Sequence, residues 1–405
     1  MKNLIKKLFA VVLITLILSC SLIPALAATL PDINAKTERI ESLEAPSGYS
    51  ELNCKATQSL SVTSSGNNKR LFVVRIKSKD KNNTSNNTDD LAMLYMYKNY
   101  KDISEGYGVF LLKNLVGHAN GMAIDDKYIY ITCWDDDDSD GNTNELKIVR
   151  IKRQKLWELY KKKETIFKEE LDANSSGVTI MPVVDSNGVG YTKKIYGITY
   201  YKDEVDEEEN KTIKSFIINT KKTFKNDTYY LNFTKAEISD NGTPNNDQDD
   251  YLIVSDSATD KFQVVFNDAP NTSGQDIGYD PDCGLFIVRS YKEKITYVDE
   301  NGKEKEKYVP TTENVIIWVK LDSLPSENRI YTPNSYEYRI INVNKSSNIF
   351  KHYELESVSI GSDNHMYASV NVELSDSSYT QYKLDPIIKI TRPNSSQFFE
   401  SEISV

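Results

Sequence analysis

The fold is decided by one stretch in the first half of the chain, Gly117-His-Ala-Asn-Gly-Met-Ala-Ile-Asp-Asp-Lys-Tyr-Ile-Tyr-Ile-Thr-Cys133. Apolar and polar residues alternate on both sides of a short polar break, and this alternation indicates two strands joined by a tight turn. The same frame recurs at four other places in the chain. These are Gln58-Ser-Leu-Ser-Val62, Tyr196-Gly-Ile-Thr-Tyr200, Gln275-Asp-Ile-Gly-Tyr279 and Glu356-Ser-Val-Ser-Ile360.

The repeats begin at residues 58, 120, 196, 275 and 356, so successive starts lie 62, 76, 79 and 81 residues apart. Strand-rich units that recur without alternating helices are typical of a β-propeller, in which blades stack around an axis until the ring closes. The sequence therefore predicts an all-β fold, a β-propeller of five blades. A degenerate sixth blade in residues 221–254 is the alternative, and a pair of β-sandwiches fits the repeat less well.

The remaining segments define the predicted domain boundaries. Residues 29–53 are irregular and form an N-terminal arm, and residues 54–405 form the propeller domain. Within that domain, residues 154–172 carry apolar side chains at helical spacing, which predicts one inserted helix. Either the arm or the tail at residues 397–405 is expected to complete the ring by strand pairing.

Residues 1–28 have the pattern of a signal peptide. Lys2, Lys6 and Lys7 precede a short apolar core, and small residues follow Pro24 as at a cleavage site. An alternative is lipoprotein anchoring at Cys20, which follows Leu18 and Ser19. No later stretch is apolar enough for a transmembrane helix, so we expect a secreted, extracellular protein.

The charge limits the partners of the mature chain. The full chain has a formal charge of −10, and loss of the three leader lysines takes it to −13. An acidic chain with scattered lysines argues against nucleic acid or an anionic lipid surface as the main partner. The 26 tyrosines suit both strand propensity and contact with carbohydrate or protein. We expect a monomer.

The repeat frame also nominates a site. The residues that open the five inner strands should meet at one mouth of the channel, where polar groups converge. The predicted binding residues are Gln58, His118, Asn120, Tyr196, Gln275 and Glu356. The second position of the frame holds Ser59, Gly121, Gly197, Asp276 and Ser357. Two carboxylates at inner positions, Glu356 at the first and Asp276 at the second, could act as the acid and base of a glycan-cleaving enzyme, a glycoside hydrolase or lyase. The alternative is that these polar groups satisfy one another and have no ligand.

An acidic stretch, residues 136–144, could hold a metal ion. Acidic residues at alternate positions before a glycine can wrap a Ca²⁺ ion with carboxylate oxygens. The predicted ligands are Asp136, Asp138, Asp140 and Asn144. The stretch resembles the calcium hairpin loops of some propeller domains and is not an EF-hand, because Lys147 stands at the twelfth position. A solvated acidic turn explains the same residues equally well.

Two segments carry a family resemblance. Lys351-His-Tyr-Glu-Leu-Glu-Ser-Val-Ser-Ile-Gly-Ser-Asp-Asn-His-Met-Tyr367 and Gly274-Gln-Asp-Ile-Gly-Tyr-Asp-Pro-Asp-Cys-Gly-Leu-Phe-Ile287 resemble segments of helveticin-J-type bacteriocins, and His118-Ala119 is similar to a further one. The resemblance covers about a quarter of the chain and implies growth inhibition of related bacteria by a large secreted protein. It transfers no catalytic residue. The chain departs from the family in its leader, length and insertions.

These observations predict a protein that binds a bacterial cell-surface glycan or protein. The more specific form of this hypothesis is a bacteriocin-like growth inhibitor. Phosphate-binding loops and nucleophile elbows are missing from the sequence, which gives catalysis little support. The glycan-cleaving enzyme remains the alternative function.

Overall fold

The computed structural model describes nineteen ranges of the chain, within which all structural statements below are made. They are residues 33–34, 36–42, 54–63, 69–77, 91–113, 115–133, 146–162, 170–206, 211–220, 223–225, 228–239, 248–266, 272–299, 301–325, 327–335, 337–343, 350–363, 365–374 and 386–391. The predicted signal peptide, which includes Cys20, and the acidic stretch at residues 136–144 lie outside them.

The described residues form twenty-five strands and one α-helix. The first half contains β1 (Ile33–Asn34), β2 (Lys36–Ser42), β3 (Cys54–Val62), β4 (Leu71–Lys77), β5 (Leu91–Tyr97), β6 (Tyr107–Lys113), β7 (Gly121–Ile124), β8 (Tyr128–Cys133), β9 (Lys147–Lys152), α1 (Arg153–Lys162), β10 (Glu170–Leu171), β11 (Val178–Asp185) and β12 (Gly197–Asp206). The second half contains β13 (Lys211–Asn219), β14 (Thr223–Lys225), β15 (Thr228–Ser239), β16 (Tyr251–Val254), β17 (Lys261–Phe266), β18 (Thr272–Asp280), β19 (Gly284–Val298), β20 (Glu304–Val319), β21 (Arg329–Tyr331), β22 (Tyr338–Asn342), β23 (Phe350–Ile360), β24 (His365–Leu374) and β25 (Pro386–Thr391).

The strands form five antiparallel blades. Blade 1 is β3-β4-β5-β6, blade 2 is β7-β8-β9-β11, blade 4 is β18-β19-β20-β22 and blade 5 is β23-β24-β25-β2. Blade 3 begins with β12-β13-β15, and both β16 and β17 pair with the outer edge of β15. The first strands of the blades touch in turn, and β23 of blade 5 contacts β3 of blade 1, so the ring is closed. The predicted all-β propeller of five blades with one helix is confirmed.

Five apolar cores hold the ring together, one at each interface between neighbouring blades. Strands such as β5 are buried on both faces and therefore read as continuous apolar runs. The core between blades 4 and 5, for example, joins Phe286 and Trp318 to Leu355 and Met366. The other four cores join blades 1 and 2, 2 and 3, 3 and 4, and 5 and 1.

The sixth-blade alternative is wrong for a topological reason. Strands β14, β15 and β16 fall in residues 221–254, but β15 pairs with β13 and β16 pairs with β15. The segment therefore completes blade 3. A parallel pairing between β16 and β11 also joins the outer edges of blades 2 and 3.

The N-terminal arm supplies the last strand of the ring, which is one of the two arrangements expected from the sequence. Strand β2 pairs with β25 in antiparallel fashion, with Lys36 opposite Thr391, and supplies the outer strand of blade 5. Strand β1 adds to β22 of blade 4. The tail at residues 397–405 lies outside the described residues. The predicted arm is thus part of the propeller, because its backbone supplies the last strand.

The inserted helix is shorter than predicted. It buries Leu156 and Leu159 in the core between blades 1 and 2, as the spacing indicates, but it ends at Lys162. At the far end of the predicted range, Leu171 lies in β10, which pairs with β6. Burial of Leu171 against blade 1 outweighs the helical pattern there. None of the helices in the described part of the chain could cross a membrane.

Candidate functional site

All five inner strands begin at the same end of the ring, which we call the N-terminal mouth. Contacts between blades establish this alignment. At the mouth, Gly121 at the start of β7 approaches Gly197 at the start of β12 and Asp276 in β18. At the far end, the Val62 N–H of β3 donates to the Ser359 hydroxyl of β23. Of the six predicted binding residues, His118, Asn120 and Tyr196 precede their strands at the mouth, whereas Gln58, Gln275 and Glu356 lie within β3, β18 and β23. They differ greatly in exposure and in what they contact.

Four of the nominated residues, in three inner strands, coincide with irregularities in strand pairing. The register shifts at Gln58 in β3, at Gln275 and Asp276 in β18, and at Glu356 in β23. A β-bulge changes the direction in which a side chain points and locally bends the strand. The alternation rule alone therefore could not give the orientation of these side chains.

Asp276 closes the centre of the ring. Its carboxylate is fully buried and accepts backbone N–H bonds from Met122 of blade 2 at 3.1 Å, from Ile277 at 2.8 Å and from Ile198 of blade 3. Burial raises the pKa of Asp276 well above its ordinary value, although the three N–H donors partly oppose this rise. The side chain links three blades and is inaccessible to a substrate.

Glu356 is also buried, with an exposed fraction of 3%. Its carboxylate accepts a hydrogen bond from the Asn371 amide. The same amide exchanges two hydrogen bonds with the backbone of Thr57 in blade 1, at 2.9 and 3.0 Å. Glu356 thus supports a contact between blades 5 and 1. The two carboxylates nominated for catalysis are held in structural roles.

A half-exposed polar cluster remains at the mouth between blades 4 and 5. The Gln275 amide donates to the Glu354 carboxylate at 3.0 Å, and the Lys292 ammonium lies 3.6 Å from that carboxylate. The exposed fractions of the Lys292 and Glu354 side chains are 30% and 14%. We call Gln275, Glu354 and Lys292 the mouth cluster. It offers an amide, a carboxylate and an ammonium to a ligand.

The other nominated residues have mixed environments. Gln58 is buried, and its amide donates to the Thr57 carbonyl at 3.1 Å. Asn120 is partly buried, and its amide nitrogen finds no acceptor among the described residues. Tyr196 is half-buried, with the Lys194 ammonium 5.6 Å from its ring centre, and His118 is exposed.

A buried guanidinium lies behind the mouth cluster. Arg289 of β19 is 1% exposed and stacks over the Tyr229 ring at 5.5 Å and the Phe266 ring at 6.0 Å. Burial lowers the pKa of Arg289 to about 10. The largest opposing effects on that pKa come from tyrosines, namely Tyr229, Tyr338, Tyr291 and Tyr196. Arg289 therefore fixes an aromatic group at the interface of blades 3 and 4.

Sequence reasoning missed Lys292, Asn371 and Arg289 as members of this region. One signal was present, because Arg75 and Arg289 end the same motif in two blades, Leu71-Phe-Val-Val-Arg75 and Leu285-Phe-Ile-Val-Arg289. Both arginines are buried. In each motif the arginine pairs with the residue just before a nominated inner position, Arg75 with Thr57 and Arg289 with Gly274.

The metal hypothesis is untouched by the structure. Asp136, Asp138, Asp140 and Asn144 lie outside the described residues, so the calcium site stays a prediction. Among the residues that the structure does describe, no group of three His, Cys, Asp or Glu side chains is arranged to hold a metal ion.

No protein-family model matches the chain, and no curated protein matches it by sequence. Solved structures with a similar course of the chain include the hemagglutinin-neuraminidase ectodomain of parainfluenza virus 5, at 10% identity and a TM-score of 0.41, covering 90% of this chain and 86% of that one. A mannose phosphorylase from Leishmania mexicana matches at 10% identity and a TM-score of 0.37, covering 90% and 91%. Similarities this low carry no information about ligand or activity.

Proposed function

We propose that this chain is a secreted bacterial β-propeller that binds a cell-surface glycan at its N-terminal mouth and acts by binding rather than by catalysis. Growth inhibition of other bacteria is the sharper form of the same proposal. The alternative ligand is a cell-surface protein, and the binding assay distinguishes a protein ligand from a glycan.

One observation carries the proposal. The mouth cluster is partly exposed, while Asp276 closes the ring beneath it. A ligand at the mouth would therefore meet an amide, a carboxylate and an ammonium on a closed floor. Groups of this kind hydrogen-bond hydroxyls and amides, which are abundant on cell-wall glycans.

The enzyme alternative has less support. A glycosidase needs two carboxylates that reach opposite sides of a glycosidic bond. Asp276 binds backbone N–H groups of three strands, and Glu356 binds Asn371. Both carboxylates are buried, with exposed fractions of 0% for Asp276 and 3% for Glu356, so neither offers an accessible acid or base.

The test is a binding, growth and hydrolysis assay on the purified mature protein. Isolated peptidoglycan and Gram-positive cells are incubated with the protein, and bound protein, cell growth and soluble reducing ends are measured. We expect binding without released sugar. The Glu354→Gln variant should weaken binding about 10- to 100-fold, because a charge-assisted hydrogen bond at the mouth is lost.

A matched control is available on the opposite face of the ring. Glu105 also accepts from an amide, that of Asn99 at 2.6 Å, and pairs with a lysine, Lys98 at 3.1 Å. Glu105→Gln should leave binding unchanged. Reducing ends that accumulate with time and vanish in Glu356→Gln would establish the enzyme instead. Binding to untreated cells that protease treatment abolishes, together with no binding to isolated peptidoglycan, would show that the ligand is a protein and would also contradict the proposal.

A further inference from the structure

The end of the ring opposite the N-terminal mouth carries a basic surface on blades 1 and 2. Four described segments lie at that end: residues 69–70 precede β4, residues 98–106 join β5 to β6, residues 125–127 join β7 to β8, and residues 153–162, which form α1, follow β9. We call these four segments the basic face. It contains nine basic and five acidic residues, hence a net charge of +4, whereas the whole chain has −10.

The helix α1 joins these segments into one surface. At its start, the Arg153 N–H donates to the Lys127 carbonyl of blade 2 at 2.9 Å. Near its end, the Tyr160 hydroxyl would lie 3.3 Å from a Cβ atom on Gly106, so this ring packs against the loop between β5 and β6 of blade 1. The helix therefore bridges the far ends of two blades.

An arginine and a lysine approach one tryptophan on the basic face. The Arg70 guanidinium of blade 1 lies 4.1 Å from the centre of the Trp157 ring, and the Lys161 ammonium lies 6.0 Å from it. Arg70 and Trp157 are half-buried, and Lys161 is exposed. A guanidinium that stacks on an aromatic ring keeps its N–H groups at its edge, where two of them can bind a phosphate together.

These two cations have no acidic neighbour in the described part of the chain. No carboxylate there lies within ion-pair distance of the Arg70 guanidinium or the Lys161 ammonium. Two acidic residues of the basic face, Asp125 and Asp126, instead bind the Lys214 ammonium of blade 3 at 2.9 and 3.1 Å. A half-buried cation without a counter-ion favours the binding of an anion from outside the protein.

The density of charge indicates the class of anion. The adjoining residues 64–68 carry no charge, and residues 163–169 carry two lysines and two glutamates, so neither segment changes the excess of four positive charges. Duplex DNA carries one charge per about 1.7 Å, and an acidic chain repels so dense a polyanion. A flexible chain with widely spaced phosphates needs fewer cations. The apolar Trp157 ring beside Arg70 and Lys161 suits the carbon linker between two such phosphates.

We propose that the basic face binds a phosphodiester polymer of the bacterial surface, a flexible chain with one phosphate per repeat, and that Arg70 and Lys161 bind its phosphates beside Trp157. This surface lies at the opposite end of the ring from the mouth cluster. The inference therefore adds a second ligand to the proposed function and does not depend on the first.

The test uses poly(glycerol phosphate), which is titrated into the mature protein by calorimetry at a series of salt concentrations. We expect the logarithm of the affinity to fall linearly with the logarithm of the salt concentration, by about 0.7 for each phosphate contact. Arg70→Gln and Lys161→Gln should each weaken binding severalfold and lower the slope by about one contact. Circular dichroism verifies that both variants are folded.

Two matched control variants remove the same charge elsewhere. Lys307→Gln removes an exposed lysine that lies 5.1 Å from the Tyr297 ring, and Arg329→Gln removes an arginine that lies 4.8 Å from the Tyr331 ring. Neither residue belongs to the basic face, so both variants should bind the polymer as the wild type does.

The outcomes separate this inference from the proposed function. Glu354→Gln should leave binding of the phosphate polymer unchanged, because the mouth cluster lies at the other end of the ring. No binding of the polymer at physiological ionic strength, or equal losses in the control variants, would overturn the inference and leave glycan binding at the mouth intact. Tighter binding to a DNA duplex or to phosphatidylglycerol vesicles would assign the basic face to another polyanion and would also overturn it.

Discussion

Gly121 and Gly197 let β7 and β12 approach β18 so closely that one carboxylate reaches backbone groups on three blades. A Cβ atom on Gly121 would lie 2.7 Å from an Asp276 carboxylate oxygen and 2.8 Å from the backbone of both Gly197 and Ile198. Contacts this short against backbone cannot be relieved by rotating a side chain. Residue 121 must therefore be glycine for the three strands to pack this closely at the centre of the ring.

Gly121→Ala should lower the free energy of unfolding by about 1–3 kcal/mol, the usual cost of overpacking a rigid core. Urea unfolding followed by circular dichroism measures the change. Gly190→Ala is the control, because a Cβ there meets nothing within 4 Å. Equal stability of the two variants would contradict the close approach of the three strands.

The buried carboxylate of Asp276 should give stability a characteristic dependence on pH. Its pKa is raised in the folded state, so its contribution is fully present below the unfolded pKa of about 3.8 and is lost as the pH rises through the folded pKa. The stability of the wild type relative to Asp276→Asn should therefore fall as the pH rises above about 4.

Asp256→Asn provides a control of opposite sign. A hydrogen bond from Ser186 lowers the pKa of Asp256, so its contribution is present above the unfolded pKa and is lost as the pH falls. Unfolding free energies of the three proteins at a series of pH values measure both slopes. A flat difference between wild type and Asp276→Asn would be inconsistent with the burial described.

The sequence predicted the positions of these residues better than their roles. Aligning the five frames put Gly121, Gly197 and Asp276 at equivalent positions, and the structure brings those three together. The frames also suggested that Asp276 and Glu356 face a ligand. Bulges at both positions, and hydrogen-bond partners as distant in sequence as Met122 and Asn371, turn these carboxylates into the protein instead. Pairing irregularities and long-range partners leave no local pattern in the sequence.

At the scale of elements, local patterns succeeded where burial is periodic and failed where pairing is long-range. The helix was predicted from Leu156 and Leu159, and both face a core. Its end was wrong because Leu171 pairs with a strand that lies about sixty residues earlier. Likewise, the spacing of apolar residues does not reveal whether the N-terminal arm or the C-terminal tail pairs with β25. That choice depends on contacts between the two ends of the chain.

Loss of β2 should destabilise the ring. A chain that begins after residue 42 lacks the six residue pairs between β2 and β25, and each lost hydrogen bond costs about 0.5–1.5 kcal/mol. It also exposes β25 as an edge strand that can pair with another molecule. We expect a lower melting temperature and concentration-dependent association, measured by calorimetry and light scattering.

A chain that begins at residue 33 keeps β1 and β2 and serves as the control. It should match the mature protein in melting temperature and size. If the chain that begins after residue 42 were equally stable and monomeric, closure by β2 would contribute nothing to the fold.

At the scale of the whole molecule, the five cores form a closed series in which each blade contributes to two of them. Loss of one blade exposes both neighbours, so we expect unfolding to be cooperative around the ring. Trp157 on α1 and Trp318 in the core between blades 4 and 5 report on distant parts of that ring.

Variants that retain only Trp157 or only Trp318 test this cooperativity. In each, the fluorescence transition in urea should coincide with the transition seen by far-ultraviolet circular dichroism, as two-state unfolding requires. Comparison within each variant removes the effect of the substitutions on overall stability. Two separated transitions in either variant would show that blades unfold independently.

Ring closure by β2 has a mechanical consequence. Lys36 lies opposite Thr391 and Ser42 lies opposite Pro386, so the chain enters β2 and leaves β25 at the same end of the pair. Tension applied through those two segments loads the hydrogen bonds one after another instead of all together, as in opening a zipper. A molecule held between two surfaces by its ends would therefore open at this seam, once the two-residue pairing of β1 with β22 is lost, at a force far below that needed to shear a blade.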